Sequence, residues 1–306
     1  MMNKIIIGMS ALGMAWILAS CSQDEDPAPQ PRRVEMTLRV GAEVPATESA
    51  MSPAAEGGQH RTMLMKPDMK TVGFLQNDDL SVFDYENNNQ YFVRSDNGGD
   101  GALTAQFRGT VVVNQKKAFH ALFPYQEGAQ CVSNSGKNYI RAVIPTEQRA
   151  TAGSFDPRAN LSVAAFIPDD NGNGASFTLR NACALVRLSI VGSCTTVRLE
   201  SVDAKQCTGT YLIGPIEPAV GATTDEAVVD EVTASAPKAS YVELVAPQGG
   251  AITDGTYYMV LSPKATSMMK ITFTNADGKS VSRTTKGNVS VGQGLITDLG
   301  SFTLPK

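Results

Sequence analysis

Val34-Glu35-Met36-Thr37-Leu38-Arg39-Val40 alternates apolar and polar side chains without a break. Side chains of a strand point to opposite faces in turn. The stretch therefore reads as a strand with Val34, Met36, Leu38 and Val40 on a buried face and Glu35, Thr37 and Arg39 on the other. Outward from it the chain keeps the same grammar, short runs bounded by turn residues. Residues 79–83 read as a strand, 87–89 as a turn and 91–93 as the return. Residues 103–113, the aromatic run 118–125, and 139–144, closed by Pro145, continue the series. Residues 176–191 read as one long strand or two continuous ones, with Val186, Leu188 and Ile190 facing one way. Residues 197–202, 208–213, 241–245, 256–261, 269–274 and 295–304 follow. Asn275-Ala276-Asp277-Gly278-Lys279 predicts a hairpin turn, because Asp-Gly readily supplies positive φ, and 281–285 return from it. Residues 41–70 and 217–237 read as long loops, the first with a short strand near Arg61-Thr62-Met63. No stretch of twelve or more residues beyond the leader carries a 3.6-residue period. The pattern predicts an all-β chain of two tandem β-sandwich domains, 34–170 and 171–306. They divide at the clearest break, Asp169-Asp170-Asn171-Gly172-Asn173-Gly174.

Composition supports this reading. Of 306 residues, 42% are apolar and 18% charged, which supplies a core and argues against wholesale disorder. Gly 27 and Pro 16 suit a turn-rich β protein. The net charge of −4 offers no basic excess for a phosphate backbone, so no nucleic-acid partner is expected. His60 and His120 are the two histidines, which leaves multi-histidine metal centres and most acid–base hydrolase sites without ligands.

The first twenty residues read as a leader. Lys4 is followed by an apolar run that ends in Leu18-Ala19-Ser20-Cys21. The run is short for a membrane span and has the small-residue end of a secretory signal. Leu-Ala-Ser-Cys resembles the bacterial lipobox, which makes Cys21 the acylated (palmitate-bearing) N-terminus of the mature chain. Residues 21–33 hold Asp24-Glu25-Asp26 and then Pro27, Pro29 and Pro31, an extended tether that cannot build a core.

Chemical motifs are absent. There is no G-x-S-x-G, HExxH, P-loop or CxxC, so neither an enzyme nor a bound cofactor is expected. Asp169-x-Asn171-x-Asn173-Gly174 matches the first half of a calcium loop. Its twelfth position is Arg180, which would repel the ion, so no metal is assigned. His120, in the run Phe119-His120-Ala121-Leu122-Phe123, reads as a half-buried structural histidine. Cys131, Cys183, Cys194 and Cys207 remain after lipidation. An even number permits disulfides in an exported protein. Cys194 and Cys207 flank one strand and would pair only if the chain folds back, and Cys183 also reads as a small core residue.

Several segments in order resemble one family. The lipobox at Cys21 is followed by Arg61-Thr62, by Asp78-Asp79-Leu80-Ser81-Val82-Phe83, and by Phe119 through the Pro124-Tyr125 that ends the aromatic strand. Ile144-Pro145-Thr146-Glu147-Gln148-Arg149, Gly153-Ser154-Phe155-Asp156-Pro157, Gly209-Thr210-Tyr211 and 257–263 come next. Together they resemble the fimbrillin (type V pilin-like) surface lipoproteins of Bacteroidetes. The sequence departs from that pattern in two places: Gly73-Phe74 stands where a tryptophan is common, and Asn181 where a His or Lys is.

The resemblance implies two transthyretin-like sandwiches and export to the outer surface on a lipid anchor in the outer membrane. It implies assembly with other pilin subunits by donor-strand exchange, in which a protease cuts after an arginine and releases the first strand. Arg61 is the preferred cleavage position, because a cut there would remove 34–40. A cut after Arg32 or Arg33 would free the chain from lipid and leave the strand in place. Val34, Met36, Leu38 and Val40 are the donor-strand candidates. The expected function is thus a structural or accessory fimbrial subunit contributing to adhesion. The alternative is a surface lipoprotein that does not polymerise and binds a glycan or another host or bacterial surface ligand.

Overall fold

The computed structural model describes residues 30–42, 63–64, 72–114, 117–216, 229–231, 238–248 and 250–305. The leader, Cys21, most of the tether, His60 and Arg61 lie outside them. The described chain is all-β, with no helix. It runs through β1 (Arg32–Gly41), β2 (Met63–Leu64), β3 (Val72–Gly73), β4 (Asp79–Phe83), β5 (Asn89–Arg94), β6 (Thr104–Val113) and β7 (Phe119–Phe123). Then come β8 (Gln130–Asn134), β9 (Lys137–Ile144), β10 (Glu147–Arg149), β11 (Ser162–Phe166), β12 (Gly174–Thr178) and β13 (Arg180–Asn181). The last ten are β14 (Ala184–Val191), β15 (Thr196–Ser201), β16 (Thr208–Ile213), β17 (Val229–Glu231), β18 (Lys238–Ala239), β19 (Tyr241–Val245), β20 (Gly255–Leu261), β21 (Ser267–Thr274), β22 (Ser280–Val289) and β23 (Ile296–Thr303).

The largest sheet has eight strands in the order β12-β1-β6-β5-β4-β7-β11-β13. A five-stranded sheet, β10-β19-β15-β21-β22, faces the three-stranded β20-β14-β23. β17-β16-β9-β8 form a further sheet, with β18 also on β16, and β2 pairs with β3. Residues 31–306 form one compact unit. Three apolar cores run through it. One is built from Met36, Leu38, Val40, Phe74, Phe92, Phe107 and Phe119 with their neighbours under the eight-stranded sheet. Another fills the space between the five- and three-stranded sheets around Val186, Leu188, Ile190, Val197, Leu199 and Phe273. A third core, including Ile140, Phe155, Tyr211, Tyr258 and Val260, interleaves with both in sequence and draws on both halves. Alternation decides each face, as a period of two requires: Val186, Leu188 and Ile190 are fully buried, while Arg187 and Ser189 between them are partly exposed.

The stretch 176–191 is neither one strand nor two continuous ones. It breaks into β12, β13 and β14, the first two in the eight-stranded sheet and the third in the three-stranded one. Leu179 and Ala182 are buried at the two breaks, and the chain changes sheets at the second, between β13 and β14. Residues 174–181 therefore complete the first sheet. Pairing also spans residue 170 elsewhere: β9 pairs with β16 and β10 with β19. The 275–279 hairpin forms as read. Gly278 has φ +77°, and the Asn275 side chain accepts hydrogen bonds from the Asp277 and Lys279 amides at 3.1 and 2.9 Å.

Candidate strand-exchange site

β1 is held on both sides. It pairs antiparallel with β6 over ten positions, from Arg32↔Val113 to Gly41↔Thr104, and parallel with β12 over five, from Thr37↔Gly174 to Gly41↔Thr178. Met36, Leu38 and Val40 are fully buried and Val34 half-buried. At roughly 1.5–3 kcal/mol for each large apolar side chain, this row is the main apolar bond between β1 and the sheet. The slot is shaped for it. Met36 faces Gly109, where a Cβ would lie 2.4 Å from the Phe92 ring, so only glycine lets Phe92 pack there. The outer face is weakly bound. Its Glu35–Arg108 ion pair, at 3.4 Å, lies in the open and contributes little.

The first half of β1 is held by the 169–174 loop. The Asp169 carboxylate accepts the Asn173 amide at 3.0 Å, and the Asp169 carbonyl accepts that of Gly172 at 2.9 Å. The Arg32 guanidinium donates to the Asn171 carbonyl, and the Thr37 amide to the Asn173 carbonyl at 3.0 Å. The half calcium motif is thus a turn whose polar groups serve the backbone and β1. Among the described residues no group of three or more His, Cys, Asp or Glu is placed to hold a metal.

The structure sets Arg32 and Arg33 inside the β1–β6 ladder, opposite Val113 and Val112. They are part of the strand and not the end of a free tether, though their side chains are exposed. Like Arg39, they lie in the ladder, so a protease would need the strand to open before it could reach their backbone. Sequence reading missed this because a charged pair at a strand's start breaks the alternation.

Cys194 and Cys207 are separate buried thiols in the same core, not joined in this structure. The backbone of Cys194 bridges to Ile252. The Cys207 thiol donates to the Ser240 carbonyl at 3.1 Å. Burial pushes the thiol of Cys194 up to about 11 and those of Cys183 and Cys207 up to about 12, so none is poised as a thiolate.

His120 is fully buried rather than half-buried. Its Nε2 lies 3.2 Å from the Ile216 carbonyl, which can only accept, so Nε2 carries the proton. Nδ1 then faces the Cys131 thiol at 3.8 Å. Burial lowers the pKa of the imidazole, against the pull of the Ile216 hydrogen bond, and nearby Lys117 lowers it further. Burial raises Cys131 to about 11.

No family model matches the chain, and no curated protein matches it in sequence. Solved structures of low similarity do. A candidate cell adhesion protein of Bacteroides ovatus is 14% identical at TM-score 0.45, over 91% of this chain and 94% of that one. A second, of Bacteroides uniformis, is 15% identical at TM-score 0.43, over 76% and 89%. A fimbrial protein of Bacteroides ovatus is 14% identical at TM-score 0.36, over 89% of this chain and 50% of that one.

Proposed function

We propose that the chain is a non-enzymatic structural or accessory subunit of a cell-surface fimbria. In this reading it is exported as a lipoprotein on Cys21 and assembled by donor-strand exchange at the β1 slot, and it contributes to adhesion at the outer membrane surface. The observation that carries the proposal is β1 itself. It is one continuous strand, near the N-terminus, whose buried side chains and two ladders could all be supplied by a strand of the same alternation from another subunit. A cut after Arg61 would release it. Cuts after Arg32 or Arg33 would require the first ladder positions to open.

N-terminal sequencing of protein from isolated fibres tests this. Thr62 as first residue supports exchange. A lipidated Cys21 terminus in every copy leaves the anchor subunit or the non-polymerising surface lipoprotein. One feature favours that second reading as a glycan binder: Tyr91, half exposed on β5, meets the partly buried Tyr125 edge to face at 4.7 Å, and an exposed aromatic face is of the kind sugars stack on.

A further inference from the structure

β22 is the edge of the five-stranded sheet, ten residues long and without proline. Edge strands are normally shortened, covered or broken, because an unpaired row of backbone groups invites another strand. Here only the second half of β22 is irregular, where its register with β21 shifts. From Ser280 to Thr284 the ladder is regular. Among the described residues nothing covers either face from Ser280 to Thr284; Val289, at the far end, is buried in the core. Val281 and Arg283 lie opposite Phe273 and Ile271 on the core side of the sheet, yet both are exposed. The facing sheet ends at β23, whose Phe302 reaches Phe273, at 5.2 Å between rings.

The charge on this hairpin runs against that of the chain. The whole sequence has net charge −4, but residues 264–289 carry Lys264, Lys270, Lys279, Arg283 and Lys286 against Asp277 alone. Lys270, Lys279, Arg283 and Lys286 make no ion pair or side-chain hydrogen bond among the described residues. They are distributed to both sides of the strand. Arg283 stands on the core-side face and Lys270, opposite Thr284, on the other, with Lys279 at the turn and Lys286 at the register shift.

We propose that the β22 edge docks an extended acidic peptide segment of a partner by strand addition. An added strand projects alternate side chains to both faces. At this edge Arg283 of β22 stands on one face and Lys270 of the neighbouring β21 on the other, neither ion-paired among the described residues, so an acidic strand is matched on both. The ladder needs N–H and C=O groups alternating at strand spacing, a row that a peptide main chain carries and a polysaccharide does not, which is why the occupant is a peptide. This site is distant in sequence from the β1 slot, and it stands or falls independently of the fimbrial reading.

The test uses the whole chain and a labelled ten-residue peptide of alternating Glu and Val, followed by fluorescence anisotropy. The expected result is saturable binding that weakens with salt. The double charge reversal Arg283→Glu, Lys286→Glu should lower affinity about tenfold or more, the scale of a few exposed ion pairs. The same variant should gain binding to a Lys/Val peptide. A backbone N-methylated Glu/Val peptide should lose binding, because it cannot complete the ladder. Absence of peptide binding, an unchanged affinity in the double variant, equal binding of the N-methylated peptide, or binding of heparin in place of the peptide would each overturn the proposal.

Discussion

Leu38→Ala tests whether β1 is bonded to the fold by its inner row. Leu38 is fully buried and sits opposite Phe107 on β6 and Ala175 on β12. Truncation removes three carbons, about 2.4 kcal/mol of transfer energy at ~0.8 per CH2. The aromatic neighbours in this core, Phe92, Phe107 and Phe119, are themselves fully buried and cannot collapse far into the gap. A cavity cost is therefore added, and the loss should total about 3–4 kcal/mol. Urea unfolding followed by far-UV circular dichroism measures it. With a slope near 3 kcal/mol/M the midpoint should fall by about 1 M. Arg39→Ala, on the exposed face next door, should stay within about 0.5 kcal/mol. If Leu38→Ala cost less than about 1 kcal/mol, or Arg39→Ala cost as much as it, the inner row would not be what holds β1. The slot would then offer an exchanging strand little to gain.

Gly109→Ala should destabilise the fold by about 1–3 kcal/mol in the same assay, since its new methyl would press on Phe92, and Phe92→Leu in the same chain should recover part of the loss. His120 has its folded pKa depressed, so the folded state binds its proton less readily than the unfolded chain. Its contribution is fully present above the unfolded value near 6.5 and is lost as pH falls through the folded one. Stability measured from pH 7.5 to 5 should decline, and His120→Leu should flatten that slope. In a Cys21→Ala background Ellman's reagent should find the four thiols unreactive in the native state and count four in denaturant, whereas a Cys194–Cys207 bond would give two.

Alternation made Met36, Leu38 and Val40 readable as a buried row, because a period of two is a local property of the strand. Which strands flank them is not local. The parallel pairing with β12 joins residues more than a hundred positions apart, and nothing in the period of either strand encodes the other. The break at 169–174 marks a real turn. A turn signal does not say whether the chain beyond it rejoins the same sheet, and here it does. Gln148 was missed as a structural residue for a similar reason. Fully buried, it takes a strand's place by donating to the Val260 carbonyl at 2.7 Å and accepting the Val260 amide at 2.9 Å. A lone glutamine carries no periodic signal. The 281–285 strand was legible as a hairpin return, but not its exposure on both faces, which depends on where the opposite sheet stops.

The contact between Arg32 and Asn171 spans 139 residues, and with it the whole of the β1–β12 ladder closes late. A chain emerging from its N-terminus can pair β1 with β6 as soon as β6 exists, but one edge of β1 stays open until β12 has followed. Long-range closures of this kind are slow, because the entropy of the intervening loop is lost before the contacts form. During that interval the N-terminal strand is docked by half, with an unpaired edge exposed to whatever else is folding nearby. The order of the sheet thus gives the growing molecule a time window, set by the length of chain between β1 and β12, in which its first strand is open to other pairings.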